Sequence, residues 1–128
     1  MITEEDIVIF FSNSGQSDEL ISIFPTIKRI GAKIIGISGN TNSELANESD
    51  IHISAAVTKE ACPLGLAPTA STSVSLALGD ALAICVLDLR EFTAEDFANS
   101  HPGGNLGKNT LTKIKDIMRI GQNIPSIN

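Results

Sequence analysis

The segment Ile7-Val8-Ile9-Phe10-Phe11 is an unbroken apolar run that ends in the small polar string Ser12-Asn13-Ser14-Gly15-Gln16-Ser17. No other feature of the chain constrains its fold as much. A continuous run, without alternation, predicts a central strand covered on both faces. The period then changes. Leu20, Ile23, Phe24, Ile27 and Ile30 recur at helical spacing, with Lys28 and Arg29 near the end of the pattern and Gly31 after it. One helix is therefore expected from about Gln16 to Ile30, kinked or loosened at Pro25.

The same alternation of period continues. Lys33 to Ser38 predicts a second buried strand, Ser43 to Glu48 a short helix, and Asp50 to Ser54 a third strand nearer an edge. Short connections between strands and helices imply parallel pairing and right-handed crossovers. The fold class expected is α/β, a parallel sheet with helices on both faces. Ala55 to Pro68 is a long irregular stretch, and stretches of that length in a compact domain are commonly functional. Thr69 or Ser71 then caps a long helix to about Arg90, apolar almost all round and expected to be buried. Thr93-Ala94-Glu95-Asp96 starts another helix, which ends at Ser100-His101-Pro102-Gly103-Gly104. A last helix is expected from Leu106 to Met118, followed by a linker from Gly121 to Asn128. With only three strands visible and the first so close to Met1, the sheet is expected to extend upstream in the natural domain.

Composition excludes several classes. The chain has 128 residues, 42% of them apolar, and a core of aliphatic residues is expected because there is no Trp or Tyr. Net charge is −6 with no cluster of Lys or Arg, which argues against nucleic acid as a partner. Cys62 and Cys85 show no metal-ligand spacing and read as reduced thiols of a cytoplasmic protein. Glu4, Glu5 and Asp6 stand where a signal peptide would carry basic residues. Val74 to Leu89, interrupted by Gly79, Asp80 and Asp88, is expected to be too short and too polar to cross a membrane.

The serine turn sits where open parallel sheets bind ligands, beyond the carboxyl end of a strand and at a helix start. Amides there attract anions, Ser12, Ser14 and Ser17 bring hydroxyls, and Gly15 permits close approach of the backbone. Asn13 and Gln16 complete the turn. The plainer reading, an N-cap within a polar turn, fits these residues equally well. No GxGxxG and no Walker lysine is present, which argues against dinucleotides and nucleoside triphosphates. The ligand implied is a small monophosphate ester.

Four segments together are specific. SNSGQSDE after an apolar strand, KEACPLGLAPTAST, GDALA and FTAEDFANSHPGGNLG closely resemble the arabinose-5-phosphate isomerase family, whose enzymes are built on the sugar isomerase (SIS) domain. The likeness runs in order from about Asp6 to Pro125. It implies a flavodoxin-like three-layer sandwich, with residues 1–113 as the C-terminal portion of the SIS domain. Residues 114–128, from Ile114-Lys115-Asp116-Ile117-Met118 onward, look like a linker and the start of a CBS module.

The reaction implied interconverts D-ribulose 5-phosphate and D-arabinose 5-phosphate through an enediol, with no cofactor and no metal, toward a sugar of lipopolysaccharide or capsule. By motif, Ser12 to Ser17 bind phosphate, with Thr69 and Ser71 as possible further contacts. Glu60 in KEACP is the first choice for the proton-transfer base, with partial burial expected to raise its pKa. His101 in SHPGG matches a family active-site histidine, and Glu19 a pocket carboxylate. Each also has a bland reading: an exposed carboxylate at 60, a turn histidine at 101, a dipole-compensating acid at 19. His52 is expected to be structural or solvent-facing, Asp80 to hydrogen-bond to the backbone of a buried helix, and Cys62 to be unreactive. The resemblance further implies a homo-oligomer with shared active sites.

The family's upstream glycine-rich loop, with its lysine and second histidine, has no counterpart here. The chain alone is therefore expected to be weakly active or inactive. Two rival functions remain at this point: an SIS isomerase of a hexulose phosphate, and a non-catalytic SIS module that senses a sugar phosphate.

Overall fold

The computed structural model describes residues 1–120, and of Asn105, Leu106 and Asn109 only the backbone. The expected linker from Gly121 to Asn128 lies outside the described residues. Two compact units make up the chain, Met1–Ala83 and Ile84–Asn128.

In the first unit, β1 (Ile7–Phe11), β2 (Lys33–Ser38) and β3 (Ile51–Ser54) form a parallel sheet in the order β1-β2-β3. The register pairs Val8 with Ile34, Phe10 with Gly36 and Gly36 with His52. Because side chains alternate along a strand, Val8, Phe10, Ile34, Gly36, Ser38 and His52 share one face. That face carries the core. Phe10, Phe24, Ile27, Ala32, Ile34 and Leu45 pack together, and the Phe10 and Phe24 rings meet edge to face at 5.0 Å. Gly36 belongs there because a Cβ would run into Ser49 and reach Leu45 at 3.0 Å.

The other face is thinly covered. The long helix α4 (Ala70–Leu89) reaches it where Gly79 approaches the Phe11 ring. Ile7, Ile9 and Ile51 stay exposed. Within this chain β1 ends the strand order, and it is packed on its Val8 and Phe10 side, so cover on both faces is not supplied by these residues. An apolar run signals that both faces want cover, without naming what supplies it.

The expected helix from Gln16 to Ile30 is two helices, α1 (Asp18–Ile21) and α2 (Phe24–Ile30), with α3 (Glu44–Glu48) following β2. Pro25 explains the break. It has no N–H to give Ile21 and suits the first turn of a helix, where it lies in α2. Gly31 closes α2 at φ 91°, a left-handed conformation that suits glycine.

Helix α4 corrects two expectations. Its apolar composition predicts burial, yet among its residues only Ser71 is buried. It has 20 residues and contains an 18-residue stretch of mean hydropathy 1.7, so by length and composition it is long and apolar enough to cross a membrane. Asp80 and Asp88 are too few to offset its Leu, Ile, Val and Ala content. A helix apolar all round requires an apolar environment, and sequence alone does not say whether protein or lipid supplies it.

The second unit holds the end of α4, then α5 (Ala94–Ser100), α6 (Asn105–Leu111) and α7 (Ile114–Ile117). Thr93 and Asp96 cap α5 reciprocally, as the sequence predicts. The single last helix expected from Leu106 to Met118 is broken at Thr112 and Lys113. There the Asp116 carboxylate takes the Lys113 N–H at 2.9 Å and starts a new turn.

Candidate functional site

The serine turn is held from beneath by the segment joining β2 to α3. Ser12 N–H donates to the Ile37 carbonyl at 3.0 Å, Gly39 N–H to the Asn13 carbonyl at 2.9 Å and Leu45 N–H to the Gly15 carbonyl at 3.0 Å. Gly15 adopts φ 66°, and a Cβ there would collide with the Ser43 side chain. This is a position only glycine fills without strain.

Within the turn, Ser12 and Ser17 hydroxyls pair at 2.9 Å, Gly15 N–H donates to Ser12 Oγ at 3.1 Å, and Gln16 N–H donates to Ser14 Oγ at 3.2 Å. Among the described residues the amides of Asn13, Ser14 and Ser17 find no acceptor. The helix that follows has four residues, so its dipole contributes little. The donors available to an anion are these separate amides and hydroxyls.

A cavity of about 510 Å³ opens beside the turn. Phe11, Ser12 and Asn13 form one wall, and Pro68 with Ser71 and Thr72 the other; Ser75, Leu76, Gly79 and Asp80 continue along α4. The spacing 72, 75, 76, 79, 80 is one helical face. Sequence reasoning found Ser71 but missed Thr72, Ser75 and the place of Asp80, which that spacing could have indicated. Ser71 is 1% exposed, and its Oγ has no hydrogen-bond partner. A buried hydroxyl without a close partner is costly, and the Glu60 carboxylate beside it and a ligand in the cavity compete for its one hydrogen.

Glu60 is bonded to that wall at Ser71 without being among the residues that line the cavity. Its Oε2 accepts Thr69 N–H at 2.8 Å, Thr69 Oγ1–H at 3.0 Å and Ser71 N–H at 3.3 Å. Thr69 Oγ1 in turn accepts Ala61 N–H at 2.8 Å, which closes the loop and leaves Thr69 committed. The expectation of a raised pKa is corrected. The Ser71 hydroxyl beside the carboxylate, then the Thr69 amide, outweigh desolvation and hold Glu60 at about 2. The loop between Glu60 and Thr69 folds back so that the carboxylate serves the N-terminus of α4, which favours the anion. Among the described residues no hydrogen bond reaches Oε1.

The other expected site residues are not gathered at this cavity. Ser14, Gln16 and Glu19 are exposed and lie off its wall. His101 belongs to the second unit, where it ends α5. Its ring stacks on Phe97 at 4.5 Å, and Nδ1 lies 3.2 Å from the Phe97 carbonyl. A carbonyl only accepts, so Nδ1 carries a hydrogen, and Nε2 makes no hydrogen bond among the described residues. Amides of Ala67, Leu66, Leu64 and Gly65 lower the pKa of the Cys62 thiol, a feature with no evident signal in the sequence. Among the described residues no group of three His, Cys, Asp or Glu is placed to hold a metal.

A parallel sheet with an amide- and hydroxyl-rich turn at its strand ends, facing a cavity, defines an α/β protein of the kind that holds small anionic ligands. The SIS domain family model matches residues 1–85, and the chain belongs to that family. The match includes most of α4, which makes that helix part of the domain.

The arabinose 5-phosphate isomerase KdsD of Pseudomonas aeruginosa is 51% identical over 127 residues, which is 99% of this chain and 39% of that protein. The protein of the same name from Escherichia coli K12 is 50% identical over 127 residues, with the same two coverages of 99% and 39%. The chain therefore spans about two-fifths of the length of these curated relatives. Among solved structures, an Escherichia coli CFT073 protein in complex with arabinose 5-phosphate superposes with TM-score 0.75 at 38% identity, over 80% of this chain and 54% of that one. These likenesses bear out the expected α/β fold.

Proposed function

We propose that this chain is part of a cofactor-free isomerase that interconverts D-arabinose 5-phosphate and D-ribulose 5-phosphate. Identity near 50% to proteins named arabinose 5-phosphate isomerase, running the whole length of the chain, carries the reading. The serine turn and its cavity support it. Ser12, Asn13, Ser14, Gly15, Gln16 and Ser17 receive the phosphate, with the Ser71 hydroxyl as a further donor when it turns from the Glu60 carboxylate to the ligand, and Thr69 as support.

Moving a proton between C1 and C2 through an enediol needs a base beside both carbons and donors for the developing oxyanion. Glu60 is assigned as that base, acting through Oε1 while Oε2 stays bound to α4. Held near 2, it is a weak base at neutral pH, ionised throughout the working range and quick to return the proton it takes. His101 is assigned to ring opening through its free Nε2, in a homo-oligomer whose subunits share active sites, and Glu19 to the sugar end of the pocket. The same reading places the protein in the cytoplasm, covers α4 by protein with no membrane, and takes 1–113 as SIS domain and 114–128 as linker and start of a CBS module.

A second reading is favoured by the anchored, strongly acidic Glu60: a module that binds a sugar phosphate without turning it over. Glu60→Gln in the full-length gene product separates the two. An isomerase loses turnover by about 100-fold or more while still binding the sugar phosphate. Turnover unchanged in Glu60→Gln contradicts the assignment of the base.

A further inference from the structure

Ser38 and His52 on the packed face of the sheet and Ser43 at the start of α3 form a cluster beneath the serine turn. The parallel register sets His52 opposite Gly36, so its side chain shares a face with Ser38 two residues further along β2. His52 Nε2 lies 2.8 Å from Ser38 Oγ. Ser38 and Ser43 are 1% and 0% exposed, and hydroxyls so removed from water must find protein partners.

Ser38 Oγ–H donates to the Asn40 carbonyl at 3.0 Å, an oxygen that only accepts. Ser43 Oγ accepts Ala46 N–H at 3.2 Å, which leaves its own hydrogen for Ser38 Oγ at 3.4 Å. Ser38 Oγ also takes the Asn40 N–H at 3.4 Å, and its shortest contact is His52 Nε2 at 2.8 Å, where donor and acceptor follow the tautomer of the ring. The cluster ties β3 to the junction of β2 and α3, with the half-buried histidine as its outermost member.

It lies directly under the serine turn. Gly15 packs on the Ser43 side chain, and a Cβ there would stand 3.3 Å from Ser38 Oγ. The backbone that the cluster fixes is the backbone that grips the turn, through Ile37, Gly39 and Leu45. We propose that His52 is a positioning residue for the serine turn: acting through Ser38, it sets the junction of β2 and α3 so that the amides and hydroxyls of residues 12–17 converge on a phosphate. The inference rests on the proposed phosphate role of that turn and adds to it a residue that never touches the ligand.

The test uses the 128-residue chain titrated with inorganic phosphate by calorimetry, each variant also being followed through denaturation. His52→Leu removes the hydrogen bond to Ser38, His52→Gln restores a polar group able to make it, and Ser38→Ala removes its partner. Phosphate affinity falls by about 10-fold in His52→Leu and Ser38→Ala, the loss expected when a buried partner is left unpaired, and His52→Gln recovers most of it. A purely structural role lowers the denaturation midpoint and leaves the affinity of the folded protein unchanged, which would overturn the inference. If His52→Leu does not fold, Ser38→Ala against the parent makes the same comparison, and equal affinities there also overturn it. A parent chain that binds no phosphate sinks the proposed function itself, an outcome distinct from equal binding by all variants.

Discussion

At the scale of the residue, Glu60 carries the most information. Its carboxyl is held at about 2 against an ordinary value of 4.5, so folding favours the ionised form. The stabilisation that follows is complete above about 4.5, declines as acid is added, and is gone once the pH passes below about 2. Thermal denaturation across that window should show the parent losing stability with falling pH more steeply than Glu60→Gln. Parallel curves for the two would mean that the carboxylate is not anchored as described. The same shift means that an acid limb of activity near neutral pH belongs to another group. Motif likeness singles out Glu60, but its ionisation is not legible in the sequence, because it depends on the Thr69 and Ser71 amides that a loop brings back to it. The sequence shows no more than a structural role for His52, for a comparable reason: its partner Ser38 lies on another strand.

Elements are legible where local chemistry decides them. All three strands fall within a residue of expectation, since β1 and β2 are short apolar runs and β3 alternates, each bounded by turn residues. The capped start of α5 is plain from Thr93 and Asp96. Thr93→Ala should lower stability by about 1 kcal/mol, the usual cost of losing an N-cap, as measured by the denaturation midpoint; an unchanged midpoint would mean the cap contributes nothing. Helix continuity is harder to read. The pattern of Leu20, Ile23, Phe24 and Ile27 is helical in period, yet Pro25 restarts the helix and Asp116 does the same further on. At the serine turn the key element is the left-handed Gly15. Gly15→Ala should cost about 2 kcal/mol from backbone strain alone, with more from the collision with Ser43, and should weaken phosphate binding as well. A variant with parental stability and affinity would show that the turn is not shaped as described.

For the whole molecule, the order of strands and helices follows from the sequence, while the cover of its apolar surfaces does not. Ile9 and Phe11 on β1 and Leu76 and Ile84 on α4 are exposed, although their composition suits an interior. Periodicity reports which residues need cover and is silent about which segment or subunit provides it. The site has the same character: one chain brings the serine turn, Ser71 and Glu60 together, whereas His101 is found only through its motif. Hydrogen exchange at C2 tests the proposed reaction most directly. The full-length gene product, incubated with D-arabinose 5-phosphate in deuterated water and followed by proton NMR, should replace the C2 hydrogen with deuterium as D-ribulose 5-phosphate accumulates, and Glu60→Gln should do so about 100-fold more slowly or worse. A protein that binds the sugar phosphate but leaves the C2 hydrogen in place, in parent and variant alike, would contradict it.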